Sequence, residues 1–248
     1  MREDRLLGGR VRLLQPLSGY RAATDPVLLA AAVPARDGES VLELGIGAGA
    51  AALCLAARVP GLALAGLELQ PPYASLARAN AAANGVSLAL WEGDVAAPPA
   101  ALRARRFDHV ILNPPYHAHG PASPKPGRDL AHREAASLGV WLAAAIARTR
   151  PRGRVTLIHR AERLPEILTA LSGPAGDIAV LPLAARAGRP AKRVIVSART
   201  QVATPFRLLA PLVLHEGPAH SGDGDDFTDA ARAILRDAAP IALEEPRQ

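Results

Sequence analysis

The run FDHVILNPPY, from Phe107 to Tyr116, places an amide, two prolines and a phenol directly after a string of apolar residues. Proline offers no N–H to a sheet ladder and pushes the residue before it out of helical geometry. The chain therefore leaves a strand at Asn113 through a stiff, extended turn. A chain that only had to turn would use Gly or Asp there, so the stiffness points to a need for Asn113, Pro114 and Tyr116 at fixed positions beyond a strand end. Earlier, VLELGIGAGAAAL (41–53) sets Glu43 two residues before Gly45, with Gly47 and Gly49 following. Glycines so spaced allow a tight turn and close backbone approach by a ligand beside a helix N-terminus. The dinucleotide fingerprint Gly-x-Gly-x-x-Gly needs glycine at position 50, which is Ala50. Glu68 closes the next apolar run, 19 residues beyond Gly49. A carboxylate there can accept both hydroxyls of a ribose, or it is a solvated strand-end acid. Asp94, in Gly93-Asp94, can accept from an adenine amino group, although Gly-Asp is equally an ordinary turn.

The elements that must position these residues follow from the apolar pattern. Runs at 40–45, 62–69, 86–93, 107–113 and 154–160 are short and rich in Val, Ile and Leu, as buried strands are. Between them 48–58, 71–84, 99–104 and 132–148 carry Ala-rich helical patterns. Such alternation predicts a mostly parallel sheet with helices on both faces and right-handed crossovers. Three acids at the ends of consecutive parallel strands then fall where open α/β sheets bind ligands. A helix at 161–172 precedes two strand-like runs, 177–186 and 191–200, joined by Gly188, Arg189 and Pro190 in the manner of an antiparallel hairpin. Ahead of the core, DPVLLAAAVP (25–34) reads as a helix with Asp25 as N-cap and Pro26 at its first position. The stretch 220–235 contains an acidic loop without an EF-hand register, and a helix cap at Thr228 or Asp226 explains it better.

The chain has 248 residues, 49% of them hydrophobic, which suits one domain. We divide it into an N-terminal segment 1–39, a core 40–200 and a C-terminal extension 201–248, with no repeat and no long linker. A net charge of +6 favours an acidic partner such as nucleic acid, although the near-exclusive use of arginine also fits a GC-rich genome. Arg103, Arg105, Arg106, Arg128, Arg189, Lys192 and Arg193 are the candidate phosphate contacts. Cys54 is the single cysteine, so no intrachain disulfide is expected and Cys54 reads as a core residue. His117, His119 and His132 are irregularly spaced, so they read as solvated or RNA-facing, and no structural metal is expected. The start MREDRLLGGR lacks an apolar signal region, and no apolar run reaches the roughly 18 residues of a membrane span. A soluble, cytoplasmic protein is expected.

Gly-x-Gly-x-Gly preceded by an acid resembles the first cofactor motif of class I S-adenosylmethionine-dependent methyltransferases, over roughly residues 20–200. The resemblance implies a Rossmann-like, mostly parallel seven-stranded sheet with a C-terminal antiparallel hairpin. It implies S-adenosyl-L-methionine as cofactor, with Glu43, Gly45, Gly47 and Gly49 in the cofactor turn, Glu68 on the ribose and Asp94 on the adenine. NPPY (113–116) is similar to the motif of enzymes that methylate amino nitrogens conjugated to a π-system. Such a nitrogen is a poor nucleophile because its lone pair is delocalised. If the Asn113 side-chain oxygen and the Pro114 carbonyl accept its two N–H bonds, it can pyramidalise towards the methyl donor, while Tyr116 stacks on the ring. Stacking asks more of the Tyr116 ring than of its hydroxyl. LLQPLSGYRAATDPVLLAAAVP (13–34) and GRPAKRVIVSART (188–200) are similar to flanking segments of the bacterial tRNA1(Val) adenine-N6-methyltransferase group. That likeness implies tRNA as partner and Thr24 and Asp25 beside the cofactor, with Ala23 in place of that group's glycine. The competing readings are a glutamine methyltransferase of release factors, a small-molecule methyltransferase and a non-catalytic RNA-binding module. The first normally carries a helical substrate domain ahead of the cofactor motif, where only about 40 residues stand here.

Overall fold

The computed structural model describes residues 1–17, 22–116, 136–219 and 226–243. An N-terminal hairpin, β1 (Arg2–Leu6) and β2 (Val11–Gln15), precedes α1 (Thr24–Ala31). The core then runs β3 (Ser40–Leu44), α2 (Ala50–Arg58), β4 (Ala63–Glu68), α3 (Pro71–Ala83), β5 (Leu88–Glu92), α4 (Ala100–Arg103) and β6 (Phe107–Leu112). It continues through α5 (Leu138–Arg148), β7 (Thr149–Arg160), α6 (Leu164–Leu171), β8 (Ala175–Ala184) and β9 (Arg193–Thr200). Two short strands, β10 (Arg207–Leu208) and β11 (Leu212–Val213), and helix α7 (Asp229–Asp237) follow.

Seven long strands lie in the order β5-β4-β3-β6-β7-β9-β8, with β10 and β11 added along β8. All pairings are parallel except those of β9 with β7 and β8. The expected seven strands and antiparallel hairpin are thus present, and the short edge strands bring the described sheet to nine. The chain moves outward from β3 to β5 and then returns to place β6 beside β3, so the order reverses between β3 and β6. Alternating side chains supply two apolar layers. Ile111 packs towards the layer containing Leu28 and Leu55, whereas Leu44, Val110 and Leu112 face Leu142 and the other. That two-sided burial is what makes the strands read as unbroken apolar runs.

The N-terminal hairpin, which the sequence pattern did not reveal, docks by an unusual edge. Asn80 and Asn84, one turn apart on α3, bond the backbone N–H and C=O of Leu14 and Arg12 as a neighbouring strand would. Asn80 is fully buried and also donates to Ala48 O in the glycine turn. Gln15, at the end of β2, exchanges two bonds with the backbone of Ala22 and so fixes the entry to α1.

Helix α1 corrects one expectation. Its N-cap is Ala23, with no side-chain cap bond, and Thr24 is the first helical residue. Asp25 lies inside the first turn because its carboxylate is engaged elsewhere, as described below. Helix α5 begins later than expected, with Ser137 accepting from Val140 N as N-cap. Thr228 caps α7 by accepting from Ala231 N, as expected. No described helix is long and apolar enough to cross a membrane.

Candidate active site

The sheet register brings the chemistry-bearing residues side by side. Leu44 pairs with Leu67 on one side and Leu112 on the other. The next residues, Gly45, Glu68 and Asn113, therefore leave adjacent strand ends together at the strand-order reversal. With strands about 4.8 Å apart, Glu68 and Asn113 flank the glycine turn at a span of roughly 10 Å. Glu92 pairs with Glu68 one strand further out, and Asp94 follows it.

The three glycines are not equivalent. All have positive φ (66°, 56° and 90° at Gly45, Gly47 and Gly49). A Cβ on Gly45 would stand 2.6 Å from the Trp141 ring, so the Cβ direction at that position is filled by a side chain of α5. A Cβ on Gly47 would meet nothing within 4 Å, so the open side of the turn lies there. Trp141 is a site residue that the sequence reading missed. It is one of two tryptophans in an aromatic-poor chain, the only signal available for it.

Glu68 is buried, 6% exposed, and not a solvated strand-end acid. Its carboxylate accepts from Gly47 N and from Gln70 N, both at 2.9 Å, and so ties the glycine turn to the end of β4. Burial raises its pKa, against the lowering effect of the backbone N–H groups it accepts from. Glu43 is buried deeper still and accepts from Ala52 N at 2.9 Å, supplying α2 with the acceptor that its N-cap Gly49 lacks. Burial pushes the Glu43 carboxyl up to about 8, which leaves it protonated at neutral pH. Asp94 closes a local turn by accepting from Ala96 N at 2.8 Å.

Beyond β6, Pro114 is buried while Asn113 and Tyr116 are half-buried. The Tyr116 hydroxyl donates to Asp25 Oδ2 at 2.5 Å, and Arg193 Nε holds the same oxygen at 2.8 Å. The Tyr116 ring packs edge to face with His159, centroids 5.3 Å apart, and the Arg160 guanidinium lies over it at 5.7 Å. Burial lowers His159 to about 4, so it meets Tyr116 as a neutral ring. Burial and the neighbouring Asp25 charge raise Tyr116 above its ordinary value. Thr24 is half-buried at the start of α1, next to Asp25.

The basic residues divide between the two rims of the sheet. Arg193 pairs with Arg160 in the β7–β9 register, so Arg189, Lys192 and Arg193 stand at the same rim as Tyr116. Arg103, Arg105 and Arg106 precede β6, at the opposite end of that strand from Asn113. Arg106 donates to Ala147 O at the end of α5, and the Arg105 guanidinium lies over Trp91 of β5. Arg128, His117, His119 and His132 lie outside the described residues. Among the described residues no group of His, Cys, Asp and Glu is arranged to hold a metal. A groove of about 350 Å³ beside the end of α2, lined by Leu53, Pro60 and Val86 among others, opens at the rim away from the site.

Comparison with known proteins bears on this geometry. Residues 22–140 match the family described as the methyltransferase small domain. A relative from Aeromonas hydrophila, named tRNA1(Val) (adenine(37)-N6)-methyltransferase, is 31% identical over 182 residues, covering 71% of this chain and 75% of that protein. In matches to three more curated relatives of that name the chain spans 52–63% of their length. A release factor glutamine methyltransferase from Geobacter sulfurreducens is 34% identical over 96 residues, 39% of this chain and 33% of that protein. A solved structure from Agrobacterium tumefaciens, described as a predicted O-methyltransferase, matches with a TM-score of 0.71 and 26% identity, covering 88% of this chain and 98% of that one.

Proposed function

The chain belongs to the methyltransferase family it shares with the Aeromonas relative, and we propose that it transfers a methyl group from S-adenosyl-L-methionine to an exocyclic amino nitrogen, adenine N6 in the anticodon loop of a tRNA. The observation that carries this reading is the register that sets Glu68, the glycine turn and Asn113 on three adjacent strand ends. The fit of the cofactor to these residues is supported from two sides. Gly47 presents open space on the turn, and the Glu68 carboxylate keeps lone pairs beyond its two backbone bonds for ribose hydroxyls. Asp94 and Thr24 flank the same region. When bound, the cofactor supplies an electrophilic methyl group.

The chain's own residues then have a limited task. Asn113 Oδ1 and the Pro114 carbonyl accept the two amine N–H bonds, and those bonds strengthen as the nitrogen pyramidalises. No strong base is needed for that step, since the proton leaves only after the nitrogen has become cationic. Tyr116 offers a ring for the acceptor base to stack on. An unpaired loop base costs least to bring out of its stack, and Arg160, Arg189, Lys192 and Arg193 line the rim over which its phosphates would lie. tRNA as substrate implies work in the cytoplasm.

A glutamine side chain of a release factor is the second reading, favoured by the Geobacter relative, whose likeness spans 96 residues. Incubation with radiolabelled cofactor and either total tRNA or purified release factor separates the two. We expect label in tRNA, recovered as N6-methyladenosine after digestion, with binding that weakens steeply between about 50 and 200 mM salt. Label in release factor, or label in tRNA at a ring carbon or a ribose, would overturn the proposal.

A further inference from the structure

Resting on that reading, we infer that Asp25 and Arg193 are positioning residues that anchor Tyr116 through its hydroxyl, so that the ring cannot swing away from the site. Three elements distant in sequence meet at one carboxylate oxygen. Tyr116 comes from the turn after β6, Asp25 from the first turn of α1, and Arg193 from the start of β9. Asp25 Oδ2 accepts from Tyr116 at 2.5 Å and from Arg193 at 2.8 Å. A hydroxyl that donates to a carboxylate makes a charge-assisted bond, about twice as strong as a neutral one.

The environment explains why the carboxylate stays in place. The Asp25 side chain is only 11% exposed, a position at which an unpaired anion is costly. Arg193 neutralises it while keeping 44% of its own side chain in solvent. The ring of Tyr116 is held separately, in an edge-to-face contact with His159 and with the Arg160 guanidinium over it. A phenol held at both ends cannot tilt or swing out, so the surface offered to an acceptor base has a set orientation before that base arrives. Preorganisation of this kind spares the transition state the work of ordering the ring. It also alters what the hydroxyl is for: a stacking platform needs only the ring, whereas a locked platform needs the oxygen as well.

The locking also explains two features of the sequence. Asp25 precedes Pro26 yet does not cap α1, because capping would aim its carboxylate at the helix backbone and away from Tyr116. Arg193 opens β9 in register with Arg160 at the end of β7, so the antiparallel β7–β9 pairing delivers two arginines to one tyrosine, one on the hydroxyl partner and one on the ring.

Two measurements on the full chain test the inference. In protein labelled with 3-fluorotyrosine, the three tyrosines give resonances that Tyr116→Phe assigns. Asp25→Asn and Arg193→Ala should each move the Tyr116 resonance and leave that of Tyr73 in place. In single-turnover reactions on transcribed tRNA with cofactor saturating, Tyr116→Phe and Asp25→Asn should each slow transfer about tenfold, the effect of one charge-assisted hydrogen bond. Affinity for S-adenosylhomocysteine should stay within about twofold in Tyr116→Phe, and the double variant should be no slower than the worse single, because neither group acts without the other. Arg193→Lys should recover most of what Arg193→Ala loses. An unmoved fluorine resonance, or losses that multiply to about a hundredfold in the double variant, would overturn the inference. So would an Asp25→Asn protein whose only defect is weaker cofactor binding. If no tRNA is methylated at all, the proposed substrate fails, and the fluorine shifts alone still decide whether the lock exists.

Discussion

Replacing Glu68 with alanine separates two roles that fall on one carboxylate. In the structure it accepts from Gly47 N and Gln70 N, both at 2.9 Å, and is 6% exposed. Hydrogen bonds to a charged acceptor contribute roughly 1.5–3 kcal/mol each, but burial of the carboxylate, which raises its pKa, opposes that gain. We expect Glu68→Ala to destabilise the fold by about 2 kcal/mol, more than an exposed strand-end acid would cost. The same substitution removes the acceptor for two ribose hydroxyls. Losing about 2–4 kcal/mol of such bonds weakens binding roughly 30- to 1,000-fold. Calorimetry with S-adenosylhomocysteine gives the affinity, and urea unfolding of the same preparation gives the stability, so that a partly unfolded sample is not mistaken for a weak binder. Glu68→Gln, which retains one acceptor oxygen, should fall between the two proteins in both measurements. A folded Glu68→Ala protein with unchanged affinity would refute the reasoning and reduce Glu68 to a strut between β4 and the glycine turn.

Asn113→Ala should leave affinity for S-adenosylhomocysteine nearly unchanged but slow single-turnover transfer at least about a hundredfold, roughly 2.7 kcal/mol in the barrier; near-normal rates would leave the amide without a role in holding the amine. Gly45→Ala should be badly tolerated because its Cβ would stand 2.6 Å from Trp141, whereas Gly47→Ala, with open space around it, should cost only about 1 kcal/mol of stability, for its positive φ, while weakening cofactor binding. Thermal midpoints and calorimetry on the pair would contradict this if the two variants behaved alike. Glu43 titrates at about 8 in the folded protein against an ordinary 4.5, so the folded chain holds a proton that the unfolded chain releases. The stability this group contributes is complete below about pH 4.5 and is lost as pH rises through 8, by up to about 1.4 kcal/mol per unit. Glu43→Gln should flatten that slope, and urea midpoints at pH 5 and 8 that change equally in both proteins would exclude it.

The core strands were legible because burial on both sheet faces leaves an apolar signature that needs no knowledge of partners, and Gly, Pro and acids punctuate each strand end. The N-terminal hairpin was not, since the outer edge of β2 is satisfied by the side chains of Asn80 and Asn84 from a helix far along the chain. Local pattern cannot register a strand whose neighbour is a pair of amides. The same limit explains Asp25. Its place before Pro26 reads as a cap, but its partners lie at Tyr116 and Arg193, and only the crossing of α1 past β6 and β9 brings them together. At Gly45 the sequence announced that something approaches the backbone closely and could not say that it is Trp141.

Two acids near one glycine turn illustrate how little residue type decides by itself. Glu43 lies within β3, one residue short of the Leu44–Leu67 pair, and its carboxyl meets the start of α2 at Ala52 N. Glu68 lies one residue past that pair on β4, and its carboxylate meets Gly47 N on the opposite flank of the turn. The Glu68 charge adds to burial in raising the Glu43 pKa. Were both ionised, the glycine turn would carry two buried negative charges on neighbouring strands, and each would oppose the other. Protonation of Glu43 at neutral pH relieves that repulsion while its oxygen still accepts from Ala52. The second carboxyl stays on the side where Gly47 is open. Two residues of register thus separate an acid that holds a helix from one that ties the glycine turn to the neighbouring strand.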